Sequence, residues 1–245
     1  MNYAIIYKMS FKKIKILILV IGTMAVFWTV NLALAAEPLL LFSWKAQNFV
    51  PDWFGGKSLP INQTKILMSF EAVSQSQADL GKIMDVSEKE ISWYVNDKTV
   101  GKGKGLKSVT VTKDDFPRDS IDVKIKGEFY DADAKESYFV NKYFTVPISE
   151  PEIVLSYKKT ENYFSLNETA RFDLFPFFFN VASDFLDIGW RVNEREINPL
   201  LRENLFLDLK VSDMPPTGQV RISASAKNAR DVLEDASKSL IFKVY

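Results

Sequence analysis

Residues 91–97 run Ile-Ser-Trp-Tyr-Val-Asn-Asp, with Ile91, Trp93 and Val95 in step and Ser92 and Tyr94 between them. Alternation at period two marks a strand with one face on a core and the other in water. Residues 188–194, Ile-Gly-Trp-Arg-Val-Asn-Glu, repeat the outline 97 positions later, with Ile188, Trp190 and Val192 in the apolar places. The same period runs through Val109–Thr112, through Ile121, Val123 and Ile125, and through Val220–Ala226. Turn-forming residues separate the runs at 96–98, 101–105, 131–136 and 214–218. The runs are short and rich in Val, Ile, Phe, Tyr and Thr, which predicts an all-β fold. No long amphipathic helix is expected after residue 36, only single helical turns near 76–84 and 228–235.

The two tryptophan segments belong to a longer internal repeat. Residues 37–45 match 150–158, with Glu, Pro, Ser and Lys identical and apolar positions between them. Residues 58–64 resemble 165–170, 108–117 resemble 206–215, and 143–146 echo 241–244. Between them, Val123 and Ile125 line up with Val220 and Ile222. The order is preserved throughout, so the chain reads as two copies of one module, 37–149 and 150–245. The first copy carries insertions at 48–56 and 74–83. The join, Ile148 to Glu152, has no Gly/Ser stretch and contains Pro151, which predicts a stiff pair. About seven short strands in roughly 100 residues predict a β-sandwich for each copy.

With Trp93 and Trp190 on the third strand of each copy, the modules resemble the tandem immunoglobulin-like domains of bacterial surface proteins, including the polycystic-kidney-disease-like group. The resemblance implies that each indole fills the space between two sheets, with Ile91, Val95, Ile188 and Val192 beside it in the core. The segments following Trp93 and Trp190 lack the Gly-Asp-Gly-like turn of the polycystic-kidney-disease type, and the chain lacks the cysteine pair of antibody domains. The likeness therefore implies the sandwich, a bacterial and extracytoplasmic setting, and no functional residue.

The first 36 residues read differently. A basic cluster, Lys12, Lys13 and Lys15, precedes an apolar run from Ile16 to Ala36 that ends in Ala33-Leu34-Ala35. Roughly 20 apolar residues suffice to cross a bilayer as a helix, and an A-x-A ending suits signal peptidase. Cleaved signal and retained anchor both place residues 37–245 outside the cytoplasm, because the positive flank stays inside. After Val244 no sorting tail is expected, so membrane attachment would be through the N-terminal segment alone.

Composition narrows the chemistry. The 245 residues include no cysteine and no histidine, which excludes disulfides, thiol nucleophiles, His-based triads and Cys- or His-ligated metals. With four lysines and no acid before residue 37, the exported part holds 27 basic and 31 acidic side chains, which argues against a nucleic-acid partner. The carboxylates Asp114-Asp115, Asp131 with Asp133, and Asp184 with Asp187 are read as solvated turns, since no calcium-loop spacing accompanies them. The Gly-Lys-Gly-Lys-Gly run at 101–105 lacks the Lys-Ser/Thr of a phosphate loop and reads as a hairpin loop. Asn62-Gln63-Thr64 and Asn167-Glu168-Thr169 fit the glycosylation sequon but read as structural turns.

Aromatic side chains remain as candidates. Trp53 and Phe54 sit in the Gly/Pro-rich insertion, and Phe177 and Phe178 in the run Phe-Pro-Phe-Phe-Phe-Asn at 175–180. They are candidates for partner or glycan contact, against packing on the neighbouring module. The leading expectation is a non-enzymatic, cofactor-free structural or protein-binding protein of the cell envelope. Its partner would be a protein, with the membrane added if the N-terminal helix stays uncleaved. The alternative is a carbohydrate or cell-wall binding module. A carboxylate enzyme would need a cleft that unites acids from several strands.

Overall fold

The computed structural model describes residues 37–75, 80–112, 119–131, 136–157, 163–164, 169–197, 205–210, 218–231 and 233–244. The alternating runs form strands β1 (Leu39–Ala46), β2 (Lys65–Val73), β3 (Glu90–Val95), β4 (Lys98–Lys104), β5 (Ser108–Thr112), β6 (Ser120–Asp131) and β7 (Glu136–Pro147). Next come β8 (Glu152–Tyr157), β9 (Tyr163–Phe164), β10 (Thr169–Phe177), β11 (Leu186–Val192), β12 (Arg195–Ile197), β13 (Phe206–Lys210), β14 (Gln219–Asn228) and β15 (Asp235–Val244). Sheets ordered β1-β2-β5 and β4-β3-β6-β7 enclose one core, and sheets ordered β13-β10-β8 and β12-β11-β14-β15-β9 enclose another. Each pair is an immunoglobulin-like sandwich, with β4 beside β3 in the first and β12 beside β11 in the second. Trp93 and Trp190 are fully buried in the two cores. Ile91, Val95 and Val192 are buried beside them, and Ile188 packs half-buried against the second core.

The hairpins after the tryptophan strands show why the sequence turns there. Asn96 and Asp97 have φ of 46° and 64°, and Asn193 and Glu194 have 47° and 71°. Two consecutive positive values make a type I′ turn, whose twist matches the flanking strands. Asn96 N donates to the Asp122 carbonyl at 2.9 Å while its Oδ1 accepts from Asp122 N at 3.0 Å. Asn193 makes the same pair of bonds with Arg221, both at 2.9 Å. Glu194 makes no use of its Cβ in this left-handed position, which costs a non-glycine residue about 1–2 kcal/mol. Glycine there offsets this against its own entropy, so Glu194→Gly is expected to stabilise the second sandwich by about 0.5–1 kcal/mol. A urea midpoint that stays level or falls would refute the turn assignment.

Three sequence expectations need correction. First, Val95 pairs with Val123, but Val192 pairs with Ile222, so Ile222 and not Val220 is the counterpart of Val123. The last strand is displaced in the same way: Val123 pairs with Phe144 and Ile222 with Leu240, which puts Phe242 in the place of Val146. A slip of two leaves every side chain on its own face, so periodicity cannot reveal it.

Second, residues 101–104 are not a hairpin loop but most of edge strand β4. Gly101 is there because a Cβ would lie 2.9 Å from Val109 Cγ1 and 3.0 Å from Leu106 Cδ2. Lys102 and Lys104 pair with Glu90 and Glu88 at 2.6 and 3.0 Å, and lysines along an edge discourage unwanted pairing.

Third, the described parts of 76–84 and 228–235 contain turns and no helix. Asp231 N bonds Asn228 O and Glu234 N bonds Asp231 O, which closes successive tight turns. Among the described residues the only helical element is the 3₁₀ turn Ser183–Phe185, and no helix is long and apolar enough to cross a membrane. The expected signal or anchor, residues 1–36, lies outside the described residues.

Candidate functional site at the aromatic joint

The connection between β1 and β2 contains the insertion at 48–56. Residues 47–64 leave the sheet and cross to the second sandwich. Phe49 pairs with Phe179 as an isolated antiparallel bridge, with Phe49 N donating to Phe179 O at 2.6 Å and Phe178 N to Phe49 O at 2.7 Å. Phe178 takes φ of 64° to allow this. For a bulky side chain that is strained backbone, costing roughly 1–3 kcal/mol, and surrounding contacts must hold it.

Those contacts form a third, smaller core. Ile61, Phe177 and Phe178 are buried together, with Val50, Phe54, Leu59 and Phe175 packed around them. Phe54 meets Phe177 edge-on at 5.3 Å, and Trp53 meets Phe175 and Phe177 edge-on at 5.2 and 5.8 Å. Edge-to-face rings add about 0.5–1.5 kcal/mol per pair beyond burial. The two aromatic stretches flagged separately in the sequence are thus one cluster. Phe177 and Phe178 are buried, at 6% and 7% exposed, and offer little ring surface to a glycan or partner. Phe54 is half-buried, and Trp53 is 62% exposed.

Beside the rings lies a polar lock. Asn180 follows the aromatic run. Its side-chain amide donates to Asn62 O at 2.7 Å, and its Oδ1 accepts from Thr64 Oγ1 at 2.7 Å. Its backbone N donates to Glu234 Oε1 at 2.5 Å, and Asn228 Nδ2 donates to Glu234 Oε2 at 3.0 Å. Glu234 is 3% exposed, and Thr64 is fully buried. A carboxylate this deep needs donors, and here they come from the turns that face the first sandwich. Asn48 adds bonds to Leu59 O and Phe178 O at 2.6 and 3.2 Å, and Ser58 Oγ donates to Asn48 Oδ1. Ser149 N donates to Pro60 O at 3.0 Å, which ties the connecting segment to the same loop.

Thr64 therefore serves the joint as well as closing a turn with Ile61. Asn167, the other sequon asparagine, lies outside the described residues, as do Asp114, Asp115 and Asp133. Among the described residues no three Asp, Glu, His or Cys side chains converge as a metal site. The sequence marks Asn62 and Thr64 only as a sequon that reads as a turn, and Glu234 not at all; it does not foretell the union of these side chains with Asn48 and Asn180. The usable signal was the insertion at 48–56, which the second copy lacks.

The outer face of β4-β3-β6-β7 carries a second grouping. Lys124 Nζ bonds Asp97 Oδ1 at 2.9 Å and sits 4.8 Å from the Tyr94 ring and 5.7 Å from the Tyr143 ring. The hydrogen bond to Asp97 raises the Lys124 pKa above its ordinary value of 10.5, with partial burial opposing it and the charge of Asp97 assisting. A raised lysine pKa means stabilisation that is complete below the ordinary value and lost as pH climbs through the raised one. Chemical denaturation is expected to show this loss in the parent and a flatter alkaline limb in Asp97→Asn. Identical limbs would show that the Asp97–Lys124 pair does not contribute to stability.

No protein-family model and no curated protein sequence matches the chain. Solved structures with a similar strand path include fibronectin type III-like modules of CbhA from Clostridium thermocellum. They are 13% identical over 83% of this chain and 94% of that one, with a TM-score of 0.27. The three N-terminal domains of the highly immunogenic outer capsid protein Hoc of bacteriophage RB49 are 12% identical over 85% and 59%, with a TM-score of 0.41. SGBP-B of the mixed-linkage glucan utilization locus of Bacteroides ovatus, solved with a mixed-linkage heptasaccharide, is 12% identical over 86% and 48%, with a TM-score of 0.25. The scores are low, and the chain spans only about half the length of the latter two chains.

Proposed function

We propose that residues 37–149 and 150–245 are two immunoglobulin-like modules of a non-enzymatic, extracytoplasmic protein of the cell envelope, of the bacterial and polycystic-kidney-disease-like kind. Its role is structural: it holds binding surfaces at a fixed spacing and orientation for a protein partner. The observation that carries this reading is the joint. Strained backbone at Phe178, a buried Glu234 and an inserted aromatic loop are all committed to holding two sandwiches in one relation. A flexible tether would need none of them. The β-edges then serve as docking strips, since an unpaired strand edge accepts another strand.

Crosslinking in intact envelopes followed by pull-down of the full chain tests this directly. Recovery with a defined protein partner supports it. Recovery of the processed chain alone and free in the medium counts against it.

One observation favours a second reading. Trp53 is 62% exposed at the joint, which suits contact with a sugar. Polysaccharide that shifts the tryptophan emission of the parent but not of Trp53→Ala would support a carbohydrate module instead.

A further inference from the structure

β7 is an edge of its sheet. It pairs with β6 along all 12 of its residues without a break in register, and among the described residues no strand pairs with its other side. Ile148 N donates to Asp119 O at 2.9 Å, and these two residues stand opposite each other where that register continues. Bonded and non-bonded pairs alternate along an antiparallel ladder. The even-numbered residues of β7 therefore bond to β6. Ser137, Phe139, Asn141, Tyr143 and Thr145 direct their N–H and C=O groups outward along the edge, and their side chains are all exposed on the outer face.

Proteins guard edges of this kind with lysines, prolines, bulges or short strands. β4 has Lys102 and Lys104 along it and a register shift between Trp93 and Tyr94. β12 is three residues long. Along β7 the ladder is regular, no proline precedes Pro147, and the only charged side chain between Ser137 and Val146 is Lys142, which is held by Glu37 at 2.5 Å. Phe139 and Tyr143 stand on this edge at 71% and 67% exposed.

The edge is also complementary to itself. A second copy laid antiparallel against it can bond only odd residue to odd residue. A two-fold axis beside Asn141, close to the middle of β7, gives the longest overlap. Asn141 then meets Asn141 of the second copy, Phe139 meets Tyr143, and Ser137 meets Thr145. Aromatic pairs and Ser–Thr pairs are among the stabilising cross-strand pairs. Within the sheet Glu128 lies beside Phe139 and Lys124 beside Tyr143, so each aromatic row joins an acidic end to a basic one. Lys126 lies beside Asn141. Its counterpart in the second copy is three strand spacings away, about 14 Å, beyond the screening length at physiological salt.

We propose that the chain self-associates through β7, two copies pairing antiparallel about a two-fold axis at Asn141 and joining two four-stranded sheets into one. This rests on the reading of strand edges as docking strips and names the occupant of one of them. The pairing forms about ten backbone bonds, as many as an ordinary interface has.

The chain has no cysteine, so introduced thiols read the register. Residues facing each other in a bonded pair lie about 5.5 Å apart, within disulfide reach. In the full chain held in detergent, Asn141→Cys is expected to oxidise to a crosslinked dimer. Ser137→Cys alone is expected to stay uncrosslinked, and its mixture with Thr145→Cys to crosslink. Asn141→Pro removes an N–H that β6 does not use, which an edge strand tolerates. That variant is expected to keep the parent's melting temperature while its mass by light scattering, corrected for detergent, falls from two chains to one. A monomeric parent, self-crosslinking of Ser137→Cys as ready as that of Asn141→Cys, or a dimer that survives Asn141→Pro each overturns the proposal. Should Asn141→Pro unfold, the crosslinking pattern decides by itself. A monomeric parent that is still recovered with another protein from envelopes overturns the β7 pairing and leaves the docking reading standing.

Discussion

Trp93→Ala is expected to destabilise the first sandwich by about 3–5 kcal/mol, the range for truncating a large aromatic ring in a core. The indole is fully buried, with Phe70 at 5.6 Å and Phe42 at 6.5 Å, both tilted against it. Its Nε1 donates to the Leu106 carbonyl at 2.7 Å. Alanine leaves both a cavity and a carbonyl without its donor, and the second adds roughly 1 kcal/mol or more. The same indole supports Gly101, whose strand passes close to Leu106. Loosening at β4 is therefore expected to accompany the loss, visible as faster amide exchange along Lys98–Lys104. Trp93→Phe keeps most of the packing and loses the hydrogen bond, so it should fall between parent and alanine variant. Urea unfolding gives the comparison; equal midpoints for Trp93→Ala and parent would remove the indole from its structural role.

Asn180→Ala is expected to open the joint, at a cost of about 3 kcal/mol, with both cores intact. Asn180 touches both sides of the lock, through Asn62 and Thr64 in the first sandwich and Glu234 in the second. Truncation takes away the acceptor for the Thr64 hydroxyl and the donor to the Asn62 carbonyl, while Thr64 Oγ1 keeps only its bond from Ile61 N. Orphaned buried groups cost about 1–3 kcal/mol each, and more where a charge is involved. Glu234 keeps its bonds to Asn228 and to the Asn180 backbone, so it is not left bare. Phe178 then loses part of what holds its positive φ, and the strained bridge to Phe49 is expected to weaken with it. Small-angle scattering should report a broader distribution of intermodule distances in the variant. Backbone residual dipolar couplings that still fit one fixed orientation would contradict this assignment.

How much of this was legible beforehand can be traced residue by residue. The alternation around Trp93 and Trp190 identified both strands and the face that is buried, because a strand's side chains must alternate and one face must leave water. The Asn96-Asp97 pair marked a turn for an equally local reason, since asparagine tolerates positive φ and aspartate here follows it. Register was not legible. Val220 and Ile222 suit the same face equally, and only the bonds between Arg221 and Asn193 select one pairing. The glycines and lysines of 101–104 looked like a loop because local propensity ranks them so. Close approach to Val109 and Leu106 overrides that ranking.

For the joint, the chain showed its parts but not their union. Its aromatic residues stood out at 53–54 and 175–179, more than 120 positions apart, with nothing local to link them. Asn180 and Glu234 are unremarkable letters in turns, and their meaning comes from partners at sequence distances of 116, 118 and 54. By itself, then, the sequence determined the strand content, the duplicated outline, the inward faces and the exclusion of thiol and imidazole chemistry. Each of these follows from period, composition or absence, which are properties of short stretches or of counts. The tertiary structure decided register, the edge strand at Lys98–Lys104, the closing of Phe177 and Phe178 against solvent, and the lock around Asn180. Those depend on which distant groups meet in space, and the free energy of desolvating a polar or aromatic group is settled only by what surrounds it.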